Sequence, residues 1–322
     1  MSMLSIQPGS LLGPQAAYVS KTYARLLAAL PQINTELFNS SRAIHQPVEF
    51  GDKSVTHVNY GSVELDEQKQ RLAPTVYSDL FLEKRWVKLR RFNKAFPLTN
   101  MDELSSALYP NTLQTPFSQA LISASKRKHN EVALAALLGP AVCGRDEANL
   151  TEKVLPASQY ITWDRAGGET FSEVLGKIGG LYVDNDIITD EEEVEAFTFA
   201  NKHVLADLNA DPSYSTILEN DGKFRPKFKM QPIANIMPVK YGKLPFVTNP
   251  DGSRTYSIPV WTRDSLIIAP WKEFKMEITI DSSLQDNPRK MFAETAVDAV
   301  RTNEKSVYVI QYTVSESEVN NG

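Results

Sequence analysis

The chain has 322 residues, of which 42% are apolar and 23% are charged, a composition typical of a globular protein of about two domains. Its formal net charge is −5 and its pI is about 5.6. This balance argues against a dedicated nucleic-acid-binding protein, whose surface is usually basic. The sequence contains no apolar run long enough for a membrane span and no signal-peptide pattern at its N-terminus.

A single cysteine, Cys143, excludes an intrachain disulfide and fits assembly in a reducing cytoplasm. We interpret it as a structural thiol, because the sequence identifies no base beside it. The four histidines lie at positions 45, 57, 129 and 203, without the paired spacing of metal ligands. We therefore predict no metal and no cofactor.

The N-terminal region is predicted to lie outside the main body. Met1 to Gly13 is interpreted as a loose arm, Tyr18 to Leu30 as an amphipathic helix and Asn34 to Phe38 as a short helical piece. From Val48 to Ala73 isolated apolar residues predict an extended two-stranded arm that bends at Asn59-Tyr60-Gly61. This arm has too few apolar residues for a core of its own, which favours an assembly protein.

A basic run between Tyr77 and Phe96 follows the arm. We predict one long strand, with Trp86, Lys88 and Arg90 on one face and Val87, Leu89 and Arg91 on the other. The alternative is a strip for nucleic acid or an acidic partner. Salt bridges between subunits are one use of such a strip, and our candidate interface residues are Lys84, Arg85, Lys88, Arg90, Arg91, Glu191, Glu192 and Glu193.

A long helix is predicted to organise the chain. It is expected to follow a short helix from Asp102 to Leu108 and a turn at Tyr109-Pro110-Asn111, to begin at Thr115-Pro116 and to end at Gly139-Pro140, with a left-handed glycine cap. The spacing predicts that it lies across a sheet through one apolar face, made by Phe117, Leu121, Ala124, Ala135 and Leu138.

The middle of the chain is predicted to be irregular α+β. A strand is expected near Pro156 to Trp163 and a helix from Phe171 to Tyr182, whose Gly176–Gly180 stretch lacks the spacing of a phosphate loop. The acidic cluster that follows does not match a calcium loop, so we interpret it as a solvated loop or a face for a basic partner. Its members are Asp184, Asp186, Asp190, Glu191, Glu192, Glu193 and Glu195.

The C-terminal third is predicted to be mostly β. A strand from Ala196 to Phe199 precedes a helix from Asn201 to Leu208, with His203 on its polar side. A hairpin turn is expected at Asn249–Ser253, and the many prolines between Lys223 and Ile268 favour loops and edge strands. The remaining predictions are strands at Leu266–Ala269 and Phe274–Ile280, a helix from Asn287-Pro288 to about Arg301, and a central strand over Ser306–Val314.

This order of elements resembles the major capsid proteins of tailed bacteriophages, which share the Hong Kong 97-like fold. Three stretches carry the resemblance: Pro74–Asp79 running into the basic Lys84–Arg91 segment, Gln119–Gly144, and Ala296–Ile310. The resemblance implies an α+β fold with an N-terminal arm, an extended β-hairpin loop, a peripheral domain with a long spine helix, and an axial domain. On this basis residues 1–47 form the arm and helix, 48–96 the extended loop and following strand, 97–170 with 262–322 the peripheral domain, and 171–261 the axial domain.

The resemblance also implies a function without catalysis. Copies of the chain are expected to assemble as hexamers and pentamers into an icosahedral shell in the host cytoplasm. Scaffolding, portal and decoration proteins are expected partners. The shell would enclose genomic DNA without binding it specifically, and no membrane is involved.

Two other functions are open at this point. An enzyme could use the Asp184–Glu195 carboxylates, although the scattered histidines give it little support. Another virion structural protein, from the tail or the capsid decoration, is the second alternative. The predicted long helix argues against tail-tube barrels, which are mostly β.

Overall fold

The computed structural model describes residues 36–49, 51–60, 82–98, 110–187, 196–211, 230–280 and 289–315. Within these residues the helices are α1 (Pro110–Leu138), α2 (Phe171–Asp184) and α3 (Lys202–Ala210). The first strands are β1 (Ile44–His45), β2 (Lys53–Tyr60), β3 (Leu82–Lys88), β4 (Arg91–Leu98), β5 (Ala141–Gly144), β6 (Thr151–Lys153) and β7 (Tyr160–Thr162). The later strands are β8 (Ala196–Ala200), β9 (Ile236–Lys240), β10 (Phe246–Thr248), β11 (Arg254–Thr262), β12 (Leu266–Ile280), β13 (Arg289–Arg301) and β14 (Val307–Val314).

One sheet forms the body of the molecule. Its strand order is β7-β14-β11-β8-β9, and β10 pairs with β11 through the predicted hairpin turn. Both faces of β8 and most of β14 are buried, so the prediction of a central C-terminal strand is confirmed. Pro259 departs from the expected edge position, because β11 lies between β14 and β8. Its carbonyl oxygen accepts a hydrogen bond from the Thr198 hydroxyl at 3.2 Å.

A second sheet, of order β1-β12-β13-β4, lies beneath the long helix. Its largest correction is β13, where we predicted a helix to Arg301. Asn287-Pro288 has the pattern of a helix start, and the alanines and glutamate that follow are good helix formers. In the structure β13 pairs with β12 on one side and β4 on the other. Tertiary pairing on both sides therefore outweighs the local propensity. The two strands predicted between 266 and 280 are one strand with irregularities after Pro270 and Lys272.

The long helix crosses this sheet as predicted, but its limits and face differ. α1 begins at Pro110, so the predicted turn and the start at Thr115 are wrong. Ala124 and Ala135, predicted to face the core, are exposed. The side chains that are buried instead are Leu121, Ser123, Asn130, Val132, Ala133, Leu134 and Leu137. The face could not be read because a buried polar residue interrupts it: the Asn130 side-chain oxygen accepts the Leu37 N–H at 3.0 Å.

The end of α1 is where it was predicted, but glycine serves there for a different reason. Gly139 is not among the described glycines with positive φ, so the left-handed cap is wrong. Its N–H donates to the Ala135 carbonyl at 2.8 Å. A Cβ at this position would lie 2.6 Å from that same carbonyl oxygen, so a larger residue would clash.

A third sheet, β2-β3-β5-β6, packs on the other face of the first part of β12 and the last part of β13. Alternation along β12 separates the two cores: Leu266 and Ile268 contact the body, whereas Ile267 and Ala269 face this third sheet. The partner of β2 is β3, which contradicts a hairpin closed at Asn59-Tyr60. Both residues are paired in the strand, opposite Glu83 and Leu82.

Several remaining predictions concern single elements. Leu37 and Phe38 do not form a helix but pack into the body, where the Phe38 ring lies 5.2 Å from that of Trp261. His203 is buried in α3 rather than placed on its polar side, because its ring packs beside those of Tyr256 and Tyr312. The predicted elements at 1–13, 18–30 and 102–108 lie outside the described residues.

Candidate assembly surfaces

The basic run is divided between two strands, and this division decides what each residue does. The chain leaves β3 at Lys88 and enters β4 at Arg91, so the single long strand that we predicted is wrong. β3 pairs with β2 and β5, whereas β4 pairs with β13. Residues that are neighbours in the sequence therefore serve different sheets.

Arg85 is the buried centre of a cluster of charges at the base of β2 and β3. Its side chain is only 1% exposed, and its Nη2 donates to Glu304 at 2.8 Å and Glu83 at 3.0 Å. Lys153 of β6 contacts the same two carboxylates, each at 3.2 Å. Arg301 completes the cluster, with its Nε 3.7 Å from Glu304. We call these five residues the charge cluster.

The proton equilibria of the charge cluster follow from this geometry. Burial favours the neutral form of Glu83, but Arg85 and Lys153 outweigh it and hold the pKa of Glu83 below its ordinary value. Burial likewise disfavours the charged form of Lys153, yet its bonds to Glu304 and Glu83 raise the pKa of its ammonium group. Burial lowers the pKa of Arg301, partly offset by Glu304.

Arg301 also closes the long helix. Its Nη1 donates to the carbonyls of Leu137 and Gly139, each at 2.9 Å, and its Nη2 donates to the Lys153 carbonyl at 3.1 Å. α1 has no basic residue in its own last turn, so the cation that compensates its terminal carbonyls comes from β13. The charge cluster thus joins the end of α1, the end of β13 and the base of β3.

The other end of this junction is held by β2. The Asn59 side-chain amide donates to the Thr302 carbonyl at 2.7 Å, in the turn between β13 and β14. Two independent contacts, from β2 and β3, therefore fix the paired strands to the same turn. The contact from β3 is a buried, charge-assisted bond, whereas the Asn59 amide of β2 makes a neutral one.

The remaining predicted basic residues lie nearer the surface. Lys88 and Arg90 both approach Asp298, through a backbone N–H at 2.9 Å and a guanidinium at 3.4 Å. Arg91 is 3.8 Å from Glu294, with a side chain that is 69% exposed. Lys84 is half-buried. The structure does not bring these residues to one place, and Glu191, Glu192 and Glu193 lie outside the described residues.

The sequence did not reveal a groove between α1 and the outer part of the second sheet. Its volume is about 770 Å³. The floor is apolar, with Phe92, Leu121, Ala124, Phe274 and Ala293 among its residues, and the rim carries Arg91, Lys94, Arg127 and Lys128. The Lys-Arg-Lys run in the predicted helix indicated a basic surface. It could not indicate a groove, because the groove also requires β4 beside the helix.

Cys143 is consistent with the structural thiol that we expected. It is buried, and burial raises the pKa of its thiol, so little reactive thiolate is present. Within the described residues no group of three or more histidine, cysteine, aspartate or glutamate side chains is arranged to hold a metal ion. None of the described helices combines the length and apolarity of a membrane span.

Comparison by sequence finds no matching family model and no matching curated protein. Comparison of the structure finds phage capsids. The capsid protein of the cyanophage P-SCSP1u aligns over 88% of this chain and 89% of its own, with a TM-score of 0.64 at 10% identity. The capsid protein of Ralstonia phage GP4 aligns over 89% of this chain and 93% of its own, with a TM-score of 0.61 at 12% identity. The capsid protein of cyanophage Pam1 aligns over 98% of this chain and 95% of its own, with a TM-score of 0.62 at 10% identity. The chain therefore has the α+β, Hong Kong 97-like fold of tailed-phage capsid proteins.

Proposed function

We propose that this chain is a major capsid protein, whose copies self-assemble into the icosahedral head shell that encloses a phage genome. The observation that carries the proposal is the fold shared with phage capsid structures over nearly the whole length of both chains. The role is structural and not enzymatic, and the chain acts in the virion after assembly in the host cytoplasm.

The proposal assigns a role to each region. Residues 1–47 form the arm, 48–96 the extended loop and following strand, 97–170 with 262–322 the peripheral domain, and 171–261 the axial domain. Copies meet as hexamers and pentamers, and scaffolding, portal and decoration proteins act on the same shell. The genome is enclosed without specific binding.

The physical basis is the distribution of buried surface. The paired strands β2 and β3 pack on the smaller core, to which they contribute only Val87 among its fully buried residues. We expect the exposed faces of these strands to become buried when copies overlap. Many weak contacts together stabilise a closed shell, because each contact raises the effective concentration of the others. The exposed Lys88, Arg90 and Arg91, with the half-buried Lys84, are the proposed interface cations and Glu191, Glu192 and Glu193 the proposed interface anions. Arg85 contributes indirectly, by holding the base of β3.

The full chain, expressed alone and with its neighbouring virion genes, provides the test. We expect hexamers, pentamers or shells in sedimentation velocity and negative-stain electron microscopy. A compact monomer under both conditions, with hydrolytic activity that is lost on replacing Asp184 and Asp186 by asparagine, would contradict the capsid function and favour the enzyme alternative.

A further inference from the structure

The groove between α1 and β4 has an apolar floor and a basic rim. Of the charged side chains that line it, four are basic and one, Glu294, is acidic. Glu294 is already paired with Lys272 from outside the groove, and it also lies 3.8 Å from Arg91. Lys128 is paired with Glu131, which lies outside the lining, at 2.8 Å. The rim keeps a positive charge after both carboxylates are counted, because Arg91, Lys94 and Arg127 also line it.

The floor of the groove shows which chemistry would fill it. Two cations lie over the ring of Phe92, with Arg90 5.8 Å and Lys128 5.2 Å from its centre. Leu121 and Ala293 continue the apolar surface. A volume of about 770 Å³ accommodates several side chains but not a whole helix. An apolar floor of this size favours a protein segment with apolar side chains between carboxylates over a nucleic-acid backbone, which offers phosphates alone.

The same chain presents this chemistry at the end of α2. Val183 is 60% exposed, and Asp184 and Asp186 beside it are also exposed. The sequence continues with Asp190, Glu191, Glu192, Glu193 and Glu195, so the excess of carboxylates extends beyond the helix. We call Val183, Asp184 and Asp186 the acidic corner. An apolar side chain flanked by carboxylates complements an apolar floor flanked by cations.

The acidic corner does not reach the groove of its own chain. The corner is fixed beside β14, because the Tyr182 hydroxyl donates to the Ser306 carbonyl at 3.1 Å and the Asn185 amide donates to the Tyr308 hydroxyl at 3.2 Å. The groove is lined by Glu294, seven residues before the end of β13, which is roughly 20 Å along an extended strand. The two surfaces are therefore separated along β13.

We propose that the groove binds the acidic corner of a second copy of this chain. Such a contact joins two different surfaces, so it is heterologous, and repeating it closes a ring when the rotation between copies permits. The inference rests on the proposed capsid function, for which it names one contact within a hexamer or pentamer.

The first test measures the contact without assembly. A fluorescein-labelled peptide spanning residues 183–196 is titrated with the full chain under conditions that keep it unassembled. We expect saturable binding that weakens as salt is raised and at least tenfold in the Arg91→Glu, Arg127→Glu variant. A matched variant, Lys202→Glu with Lys305→Glu, reverses two exposed cations elsewhere and should bind like the wild type. Absence of binding, or equal binding by both variants, would overturn the inference.

The second test asks whether the contact builds the assembly. Reversing either side alone, by the groove variant or by Asp184→Lys with Asp186→Lys, should remove rings and shells from sedimentation profiles. Combining both reversals in one chain should restore them, because the charges are again complementary. Assembly that survives each single reversal, or that the combination fails to restore, would refute the contact. If the wild type never assembles, the capsid function fails, while the peptide titration still decides the inference.

Discussion

The body of the molecule and the paired strands β2 and β3 are stabilised in different ways. Around the β7-β14-β11-β8-β9 sheet one continuous core contains most of the large buried side chains, among them Trp261, Tyr182, Tyr308, Tyr312, Phe38, Phe171 and Phe199. The smaller core beneath β3 contains Val48, Val87, Ala141, Ile267, Ala269 and Val300. The strands β2 and β3 lie on this smaller core through Val87 and are also held by the charge cluster. The body is thus stabilised mainly by apolar packing, whereas β2 and β3 depend more on buried ion pairs.

The largest expected effect is in the body. Trp261 is fully buried, lies 4.8 Å from Phe199 between ring centres and donates from its indole to the Arg42 carbonyl at 3.0 Å. Trp261→Ala should lower the free energy of unfolding by about 3–5 kcal/mol. Urea denaturation of the unassembled chain measures the change. Trp271→Ala, at a partly exposed tryptophan of the smaller core, is the control and should cost clearly less. Equal losses would contradict the distinction between the two regions.

The charge cluster should give the next largest effect. Arg301→Met removes the cation that caps α1 and leaves Glu304 buried with fewer partners. We therefore expect the free energy of unfolding to fall by about 3 kcal/mol or more. Arg90→Met removes an exposed cation whose bond to Asp298 is long, and it should cost about 0–1 kcal/mol. Both are measured by chemical denaturation. A cost at Arg301 no greater than that at Arg90 would show that the cluster does not hold the junction.

A smaller effect should depend on pH. Burial lowers the pKa of His129, partly offset by Glu36, and its Nε2 is 2.9 Å from the Thr295 hydroxyl where α1 meets β13. The unfolded chain then binds a proton more readily than the folded one. Stability is complete above the ordinary histidine pKa of about 6.5 and falls as the pH drops below it. Denaturation midpoints at pH 7.5 and 5.5 should differ less in His129→Gln than in the wild type. An unchanged difference would assign the pH dependence to other groups.

The smallest effect on folding is expected at the β10 hairpin. Val247 is 66% exposed, so Val247→Ser should change the free energy of unfolding by no more than about 0.5 kcal/mol. Thermal denaturation of the unassembled chain checks this value. If the free energy of unfolding fell as much as for a core substitution, Val247 would have to be packed, and the hairpin would belong to the main core.

Part of the candidate site could be read from the sequence and part could not. The basic run and the acidic cluster were visible as charges, and the end of α1 at Gly139 was marked by glycine and proline. Nothing local distinguished Arg85, which is buried, from Arg90, which is exposed. The buried partner of Arg85 is Glu304, which lies 219 residues away in the chain. The groove was equally hidden, since it requires β4 and α1 to lie side by side.

The sequence by itself determined the long helix, the central C-terminal strand, the hairpin turn at Asn249–Ser253 and the resemblance to capsid proteins, because short-range periodicity and turn chemistry specify such elements. Only the tertiary structure decided that residues 289–301 form a strand, that Pro259 lies in a central strand and which face of α1 is buried. Each of these depends on partners distant in the chain, whose pairing and burial contribute more free energy than local propensity does.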